Sequence, residues 1–373
     1  MIASYDLKNV VRDLTEELSI VVQRQPTLIS LIPHAAPNQY AHSPTHEWLE
    51  DIVSPEVDTL AADLDASATS MTVTDGTKFQ PGMVLTFEGS EELVKVTAVS
   101  GNTLTVVRGY AETPKEAHSS GTEVKIIARP RDEGTLPGDD NPGALPGTEW
   151  NQTQIFDITV KVTRTAQNTA QYGIDNLINH RVSQGLQVIS RRMNNAIIYG
   201  RRVKRVEGVE PGMMGGILYF LKQPGGNVVN AAGSDLTQKL LNDAIEKIAL
   251  DGGNPNVLVC NTTQARKISA FNANNIVIQR EDQTAGNFVA RFVSDLPAGI
   301  ITTIVVDTNF PKDKIAILDT SRLRLVPLRG STIRDFDATP PGADFIARRI
   351  LGEYTLEVRN AKQAHGLLEG LAY

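Results

Sequence analysis

The sequence predicts an α+β protein that carries a separate, small all-β module, and three observations lead to that fold class. A proline-free window between Pro146 and Pro211 holds an apolar stripe at three- and four-residue spacing. Residues 57–128 read as short strands broken by turn signals. The second half mixes helical and strand patterns over a span of ordinary domain size.

At the start, Ser4 caps a predicted helix with Leu7, Val10, Val11, Leu14, Leu18 and Val21 on one face. Asp6, Lys8, Arg12, Asp13, Glu16 and Glu17 cover the other. Pro26 ends it, and Pro33, Pro37 and Pro44 keep the following chain extended. An amphipathic helix on such a tether is an arm whose stripe needs a surface, on its own body or on a neighbour's.

Residues 47–53 and Gln154–Thr163 read as strands of one structure. In the second, Phe156, Ile158, Val160 and Val162 alternate with Asp157, Thr159, Lys161 and Thr163. The module between them has strands near 70–73, 83–87, 93–99, Thr103–Val107 and 124–128. Asp75-Gly76, Pro81-Gly82 and Ser100-Gly101-Asn102 supply its turns. About seventy residues of this kind suffice for a small barrel or sandwich. Residues 129–147, with four prolines, four glycines and no periodicity, form a linker.

The stripe of Ile174, Ile178, Val182, Leu186, Ile189, Met193 and Ile197, widened by Leu177 and Ala196, predicts one long helix over about residues 168–205. Asp175, Asn179, Ser183, Gln184, Gln187, Ser190 and Asn194 form its polar face. Roughly thirty residues make a rod about 45 Å long, a strut for other elements. Gly185 is its weak point, costing about 1 kcal/mol against alanine.

Beyond Pro211-Gly212 and a flexible corner at Met213-Met214-Gly215-Gly216, Ser234 caps a predicted helix carrying Leu236, Leu240, Leu241, Ala244, Ile245 and Ile248. A buried strand at Val257–Cys260 and a helix from Thr262 through Phe271 follow. Strands are predicted at 276–279, 288–293, 300–306, 314–318 and Leu323–Pro327. The tail, Phe345–Val358, alternates and returns to the sheet beside the long helix.

A net charge of −7 argues against a dedicated nucleic-acid binder. One cysteine, Cys260, excludes an internal disulfide framework and reads as a buried small hydrophobe. No run approaches the eighteen or so apolar residues of a membrane span, and the N-terminus lacks signal-peptide organisation. The chain reads as soluble and cytosolic.

No phosphate loop, dinucleotide fingerprint or nucleophile elbow is present, and no motif calls for a cofactor. His42 and His46 have helix-face metal spacing, but Pro44 between them opposes that helix. Asp307 and Asp319 end predicted strands, where carboxylates serve acid/base chemistry or, more commonly, bond local backbone amides. Arg191, Arg192, Arg201, Arg202, Lys204 and Arg205 crowd the end of the predicted helix. Cations suit a helix C-terminus; the same cluster also suits phosphates or an acidic neighbour. An arm and a long two-stranded excursion are marginal alone and become stable across neighbouring copies, which points to a self-associating structural protein.

Several stretches carry a family resemblance: Pro26-Thr-Leu-Ile-Ser-Leu-Ile-Pro33, His46-Glu-Trp-Leu-Glu-Asp51, Asn151-Gln-Thr-Gln-Ile-Phe156 with Val162-Thr-Arg-Thr165, and the run from Val305 to Leu323 through Leu328-Arg-Gly330. In these motifs and in element order the chain resembles tailed-bacteriophage major capsid proteins of the Hong Kong 97-type fold. The resemblance implies an N-terminal arm (1–40) and an extended loop (41–165) holding the β-rich insertion (57–128) and the linker (129–148). It further implies a spine helix of the peripheral domain (166–211), an axial domain (212–328) and a return to the peripheral domain (329–373). Hexameric and pentameric capsomers would build an icosahedral virion shell, assembled in the host cytoplasm around double-stranded DNA, with no membrane contact. A portal and a decoration or cement protein would be partners. Because the arm starts near Met1, scaffolding is expected from a separate protein. The basic cluster then becomes a candidate contact with DNA or a neighbouring subunit. The alternatives are an encapsulin-like nanocompartment shell and, from another class, an enzyme using Asp307 and Asp319.

Overall fold

The structure is a computed structural model describing residues 27–36, 39–51, 56–131, 133–134, 146–169, 174, 176–271, 276–278, 290–293 and 301–373; side chains within 272–302 are not described. The predicted arm helix and most of the 129–147 linker lie outside the described residues. The chain divides into two units, Met1–Trp48 with Thr148–Tyr373, and Leu49–Gly147.

In the smaller unit six strands run in the order Val57–Thr59, Glu123–Ala128, Val84–Phe87, Leu93–Ser100, Thr103–Val107, Ser70–Thr72. All pairs are antiparallel, and a bridge between Leu60 and Val73 joins the first strand to the last, closing a barrel. Alternate residues point inward, so Met71, Leu85, Phe87, Val94, Val96, Leu104, Val106 and Val124 fill the interior. Beside that core sits a buried ion cluster. Glu92 accepts two bonds from Arg108, Nε and Nη2 each at 2.7 Å, and His118 Nε2 lies 3.1 Å away and stacks on Phe87.

The larger unit is built on two main sheets; a separate two-stranded pair joins Thr45–Glu50 to Gly147–Gln152, so the strand expected at residues 47–53 pairs there and not in the sheet that holds Gln154–Thr163. Strand Phe345–Val358 is the centre of the smaller main sheet. Gln154–Thr163 runs antiparallel along one edge, and Leu323–Pro327 and Arg334–Asp337 share the other. The seven-stranded sheet runs Asn227–Asn230, Gly366–Glu369, Ile315–Leu318, Val257–Cys260, Ile301–Val306, Ala290–Val293, Ile276–Ile278. Val257 and Val259 face the core containing the long helix, whereas Leu258 and Cys260 face the core under helix Gln238–Leu250. Both faces are covered, which is why Val257–Cys260 is apolar throughout. Burial pushes the Cys260 thiol up to about 12, so it is inert packing.

The long helix is shorter than its sequence pattern predicts. It runs Leu177–Tyr199, 23 residues or about 35 Å, while Arg164–Asn168 forms a separate short helix. Asn176 supplies the cap, its side chain accepting from the Asn179 N–H, so the periodic Ile174 precedes the helix. At the other end a Cβ on Gly200 would lie 2.3 Å from Met214 O and 2.4 Å from Ala196 O. The chain leaves the helix there into a hairpin with Val203 bridged to Met213 and Val206 to Glu210. Arg201, Arg202, Lys204 and Arg205 therefore lie beyond the helix, not at its end.

Three assignments on the helix also change. Leu186, placed on the apolar stripe, is 44 % exposed, and Asn194, placed on the polar face, is fully buried. Gly185 is a contact and not a weak point: a Cβ there would come 2.8 Å from Ile350 Cδ1 and 3.4 Å from Ile158 Cγ2. The absent side chain lets the helix approach the four-stranded sheet. Gly185→Ala gains about 1 kcal/mol of helix propensity against a small shift of Ile350, leaving the unfolding midpoint nearly unchanged. Gly185→Leu overpacks the contact and loses roughly 1–3 kcal/mol. Both of the chain's tryptophans, Trp48 and Trp150, lie in this unit, so fluorescence-detected thermal unfolding reads the difference.

Other boundaries move slightly. The second-half helix starts at Gln238 with Thr237, not Ser234, as its cap. The stretch 329–373 divides between the sheets, because Gly366–Glu369 joins the seven-stranded one. Conversely, Leu323–Pro327, assigned with 212–328, pairs in the four-stranded sheet.

Candidate functional site

For a chain without a motif for chemistry, the informative sites are its buried polar networks. The first holds the segment that begins at Thr27. Leu28 and Ile32, on and just after helix Leu28–Leu31, are buried in the main core. The Leu28 and Ile29 N–H groups donate to Asn194 Oδ1 at 3.1 and 3.3 Å, supplying partners that the start of a short helix lacks. Asn194 Nδ2 donates to Asp307 Oδ2 at 2.8 Å, and Asp307 Oδ1 accepts the Asn309 N–H at 2.7 Å. Farther on, His34 bridges to Leu325 and Ala41 to Leu328, so the segment continues along the edge of the four-stranded sheet.

Asn194→Ala leaves two backbone donors and one carboxylate oxygen short of a partner in a buried place. Each unsatisfied group costs roughly 1–3 kcal/mol before relaxation. Hydrogen exchange at residues 27–36 is expected to rise at least tenfold, with the six-stranded barrel unchanged.

Asp307 and Asp319 belong to separate networks. Asp307 is fully buried and serves the clasp just described. Asp319 accepts from the Ser321 N–H at 2.9 Å and Ser321 Oγ at 2.6 Å, with Arg322 Nε 3.3 Å away. Its own N–H donates to His365 Nδ1 at 3.1 Å. Burial pushes His365 down to about 4, leaving a neutral ring able to accept that bond.

A second buried site fixes the root of the 203–213 hairpin. Asn151, Gln152 and Thr153 are at most 1 % exposed. Asn151 accepts the Gly215 N–H at 2.7 Å and donates to Gly215 O and Leu356 O. Thr153 Oγ1 and Arg205 Nη2 both donate to Glu353 Oε1, at 2.6 and 2.8 Å. Arg202 bonds Glu149 at 3.1 Å and lies over the Trp150 ring, 4.1 Å from its centroid. Two of the six basic residues are thus held in ion pairs within the chain. Arg192 donates to Asp157 O at 3.2 Å, and the Arg191 Nε is buried without a hydrogen-bond partner. Arg201 and Lys204 are exposed. The structure therefore disperses the cluster along the last helical turns and one strand of the hairpin. Composition missed the Asn151 and Asn194 pins, because a buried amide looks like a surface amide until its partners are placed.

Among the described residues no group of His, Cys, Asp and Glu is arranged to hold a metal, and no helix is long and apolar enough to cross a membrane.

Across almost the whole chain this architecture is similar to several solved structures. A chain of Mycobacterium phage Bobi aligns with a TM-score of 0.52 at 13% identity, covering 99% of this chain and 98% of that one. A chain of Mycobacterium phage Adephagia gives 0.50 at 12%, with 99% and 98% covered. A chain described as the capsid of a native GTA particle gives 0.53 at 12%, again with 99% and 98%. At such identities the likeness speaks to the fold alone. No curated protein sequence matches the chain significantly. A sequence model of the SU10 major capsid protein family matches residues 1–372, and the chain belongs to that family, as a tailed-phage major capsid protein.

Proposed function

We propose that the protein builds the head shell of a tailed phage from hexameric and pentameric capsomers, closed with icosahedral symmetry around double-stranded DNA. The family match over residues 1–372 carries this reading, since it embraces arm, body and tail together. The clasp at Asn194 and Asp307 supports it, because it holds the chain emerging from residues 1–26 at a defined point on the body. In this reading 1–40 is the arm and 41–165 the extended loop, with the β-rich module 57–128 as its insertion and 129–148 as the linker, both within the extended loop. Residues 166–211 and 329–373 form the peripheral domain, and 212–328 the axial domain. A separate scaffolding protein, a portal and a decoration or cement protein act with it, and assembly takes place in the host cytoplasm. The exposed cations of 191–205 meet DNA or an adjoining copy. Asp307 and Asp319 serve the fold, and the subunit has no catalytic role.

Electron microscopy of the purified protein, with and without proteins of its parent particle, tests the proposal. Closed shells or capsomer rings are expected. A 40.5 kDa monomer under every condition would overturn it. Particles filled with an enzyme in place of DNA would point to a nanocompartment. Replacing residues 57–128 by a short Gly/Ser bridge is expected to leave the body folded with unchanged tryptophan fluorescence, because the barrel closes on its own core.

A further inference from the structure

The hairpin 203–213 ends in a solvent-exposed tip. Val209 is 80 % exposed and Val206 50 %, and Glu207 and Glu210 are exposed beside them. Gly208, at φ +69°, makes the reversal. The root is pinned through Arg205 to Glu353, so the tip is presented on a fixed base.

A groove of about 590 Å³ opens on the same unit, within the size range of sites that enclose a ligand. Tyr199, Arg201, Leu218, Tyr219, Lys222 and Pro224 line it, with Pro311 and Lys314 completing the wall. Lys222 and Lys314 both pair with Glu369, at 2.5 and 2.9 Å, and Lys314 also lies 3.4 Å from Asp313. Those two carboxylates offset the two lysines. Arg201 has no ion-pair partner among the described residues, so the groove keeps an unmatched positive charge beside an apolar lining. No residue of the hairpin tip lines the groove of its own copy; Glu207 instead borders a separate depression with Ser43, Pro44, Thr45 and Gln152.

We propose that the hairpin tip of one copy seats in this groove of the next, with Val209 against Leu218, Tyr219 and Pro224 and the Glu207 and Glu210 carboxylates facing Arg201. The tip is apolar and anionic where the groove is apolar and cationic, and charge complementarity of this kind fixes partner and orientation. Tip and groove are different patches, so the contact runs head to tail and joins copies into rings or extended arrays, not closed pairs. This contact deepens the shell-subunit reading and rests on it.

Oxidative crosslinking of the full chain tests the contact directly, because the single native thiol, Cys260, is buried. Val209→Cys combined with Gln223→Cys is expected to give a covalent ladder beyond the dimer, whereas a mixture of the two single variants stops at the dimer. In parallel, E207K/E210K and R201E/K222Q should each lower particle yield at least tenfold. Circular dichroism should be unchanged, and mixing the two variants should restore yield. A ladder without closed particles keeps the contact and removes the shell reading. Loss of assembly in R201E/K222Q without a ladder would mean that another molecule fills the groove, and would overturn the proposal, as would wild-type assembly in both charge variants.

Discussion

Glu92→Gln strips hydrogen-exchange protection from the barrel strands while leaving the rest of the chain protected. The substitution keeps the shape of the side chain and removes its charge, so the Arg108 side chain, 2 % exposed, is left buried without a counter-ion. Breaking one side of a buried pair costs about 3–5 kcal/mol, a large part of what a small barrel has in reserve. Three further groups also lose a charged acceptor: the Gly109 N–H at 3.2 Å, the Glu116 N–H at 3.0 Å and the His118 ring. Burial pushes the Glu92 carboxyl upward, but the Arg108, Glu116 and His118 bonds override it and hold the group at about 2, below its ordinary 4.5. A carboxyl depressed on folding stabilises fully above 4.5 and loses that contribution as pH falls toward 2. The wild-type barrel therefore keeps its protection at pH 4, and peptide-resolved exchange should show the variant without it there. Equal protection in both proteins would refute this role for the cluster.

Acidification from pH 6.5 to 4 lowers the stability of the larger unit, His365 contributing about 3 kcal/mol and His46, which burial also holds below its ordinary value, adding to it. The His365 ring is fully buried and is pushed down to about 4 from 6.5, because burial disfavours the cation; Asp319 and the Arg359 backbone act the other way, and Arg322 adds to the effect of burial. Between those values the unfolded chain binds a proton that the folded chain does not, so stability is complete above 6.5 and declines as pH falls toward 4. Urea unfolding followed by Trp48 and Trp150 should show that slope. His365→Gln, which can still accept the Asp319 N–H, should reduce it to the part that His46 supplies. A variant that keeps the wild-type slope would place the titrating group elsewhere. The two acid windows fall on different units: the body weakens first and the barrel only below 4.5.

Elements whose structure depends on near neighbours were legible in the residues. Gln154–Thr163, Thr103–Val107, Val257–Cys260, Leu323–Pro327 and Phe345–Val358 lie where alternation or continuous apolarity predicts strands, because a pleat imposes its period on adjacent side chains. The long helix was legible as an existing element but not in extent. Periodicity runs through Ile174, whereas the boundaries follow from the Asn176 cap and from packing around Gly200 that no local pattern encodes.

Pairings between distant residues were not legible. Gly366–Glu369 lies parallel to Asn227–Asn230, and Leu60 closes the barrel on Val73, through contacts that local pattern does not specify. The same holds for the sites. Asp307 could be read as catalytic or as structural until Asn194 and the Leu28 amide were brought to it. The six basic residues looked like one patch in the chain and became two internal ion pairs, a backbone contact and separate surface positions in space. Sequence alone sufficed for the α+β class and for a resemblance that the family match bears out. Tertiary structure decided which polar groups are buried and paired, since burial depends on segments far apart in the chain and a residue's chemistry changes with the water it loses.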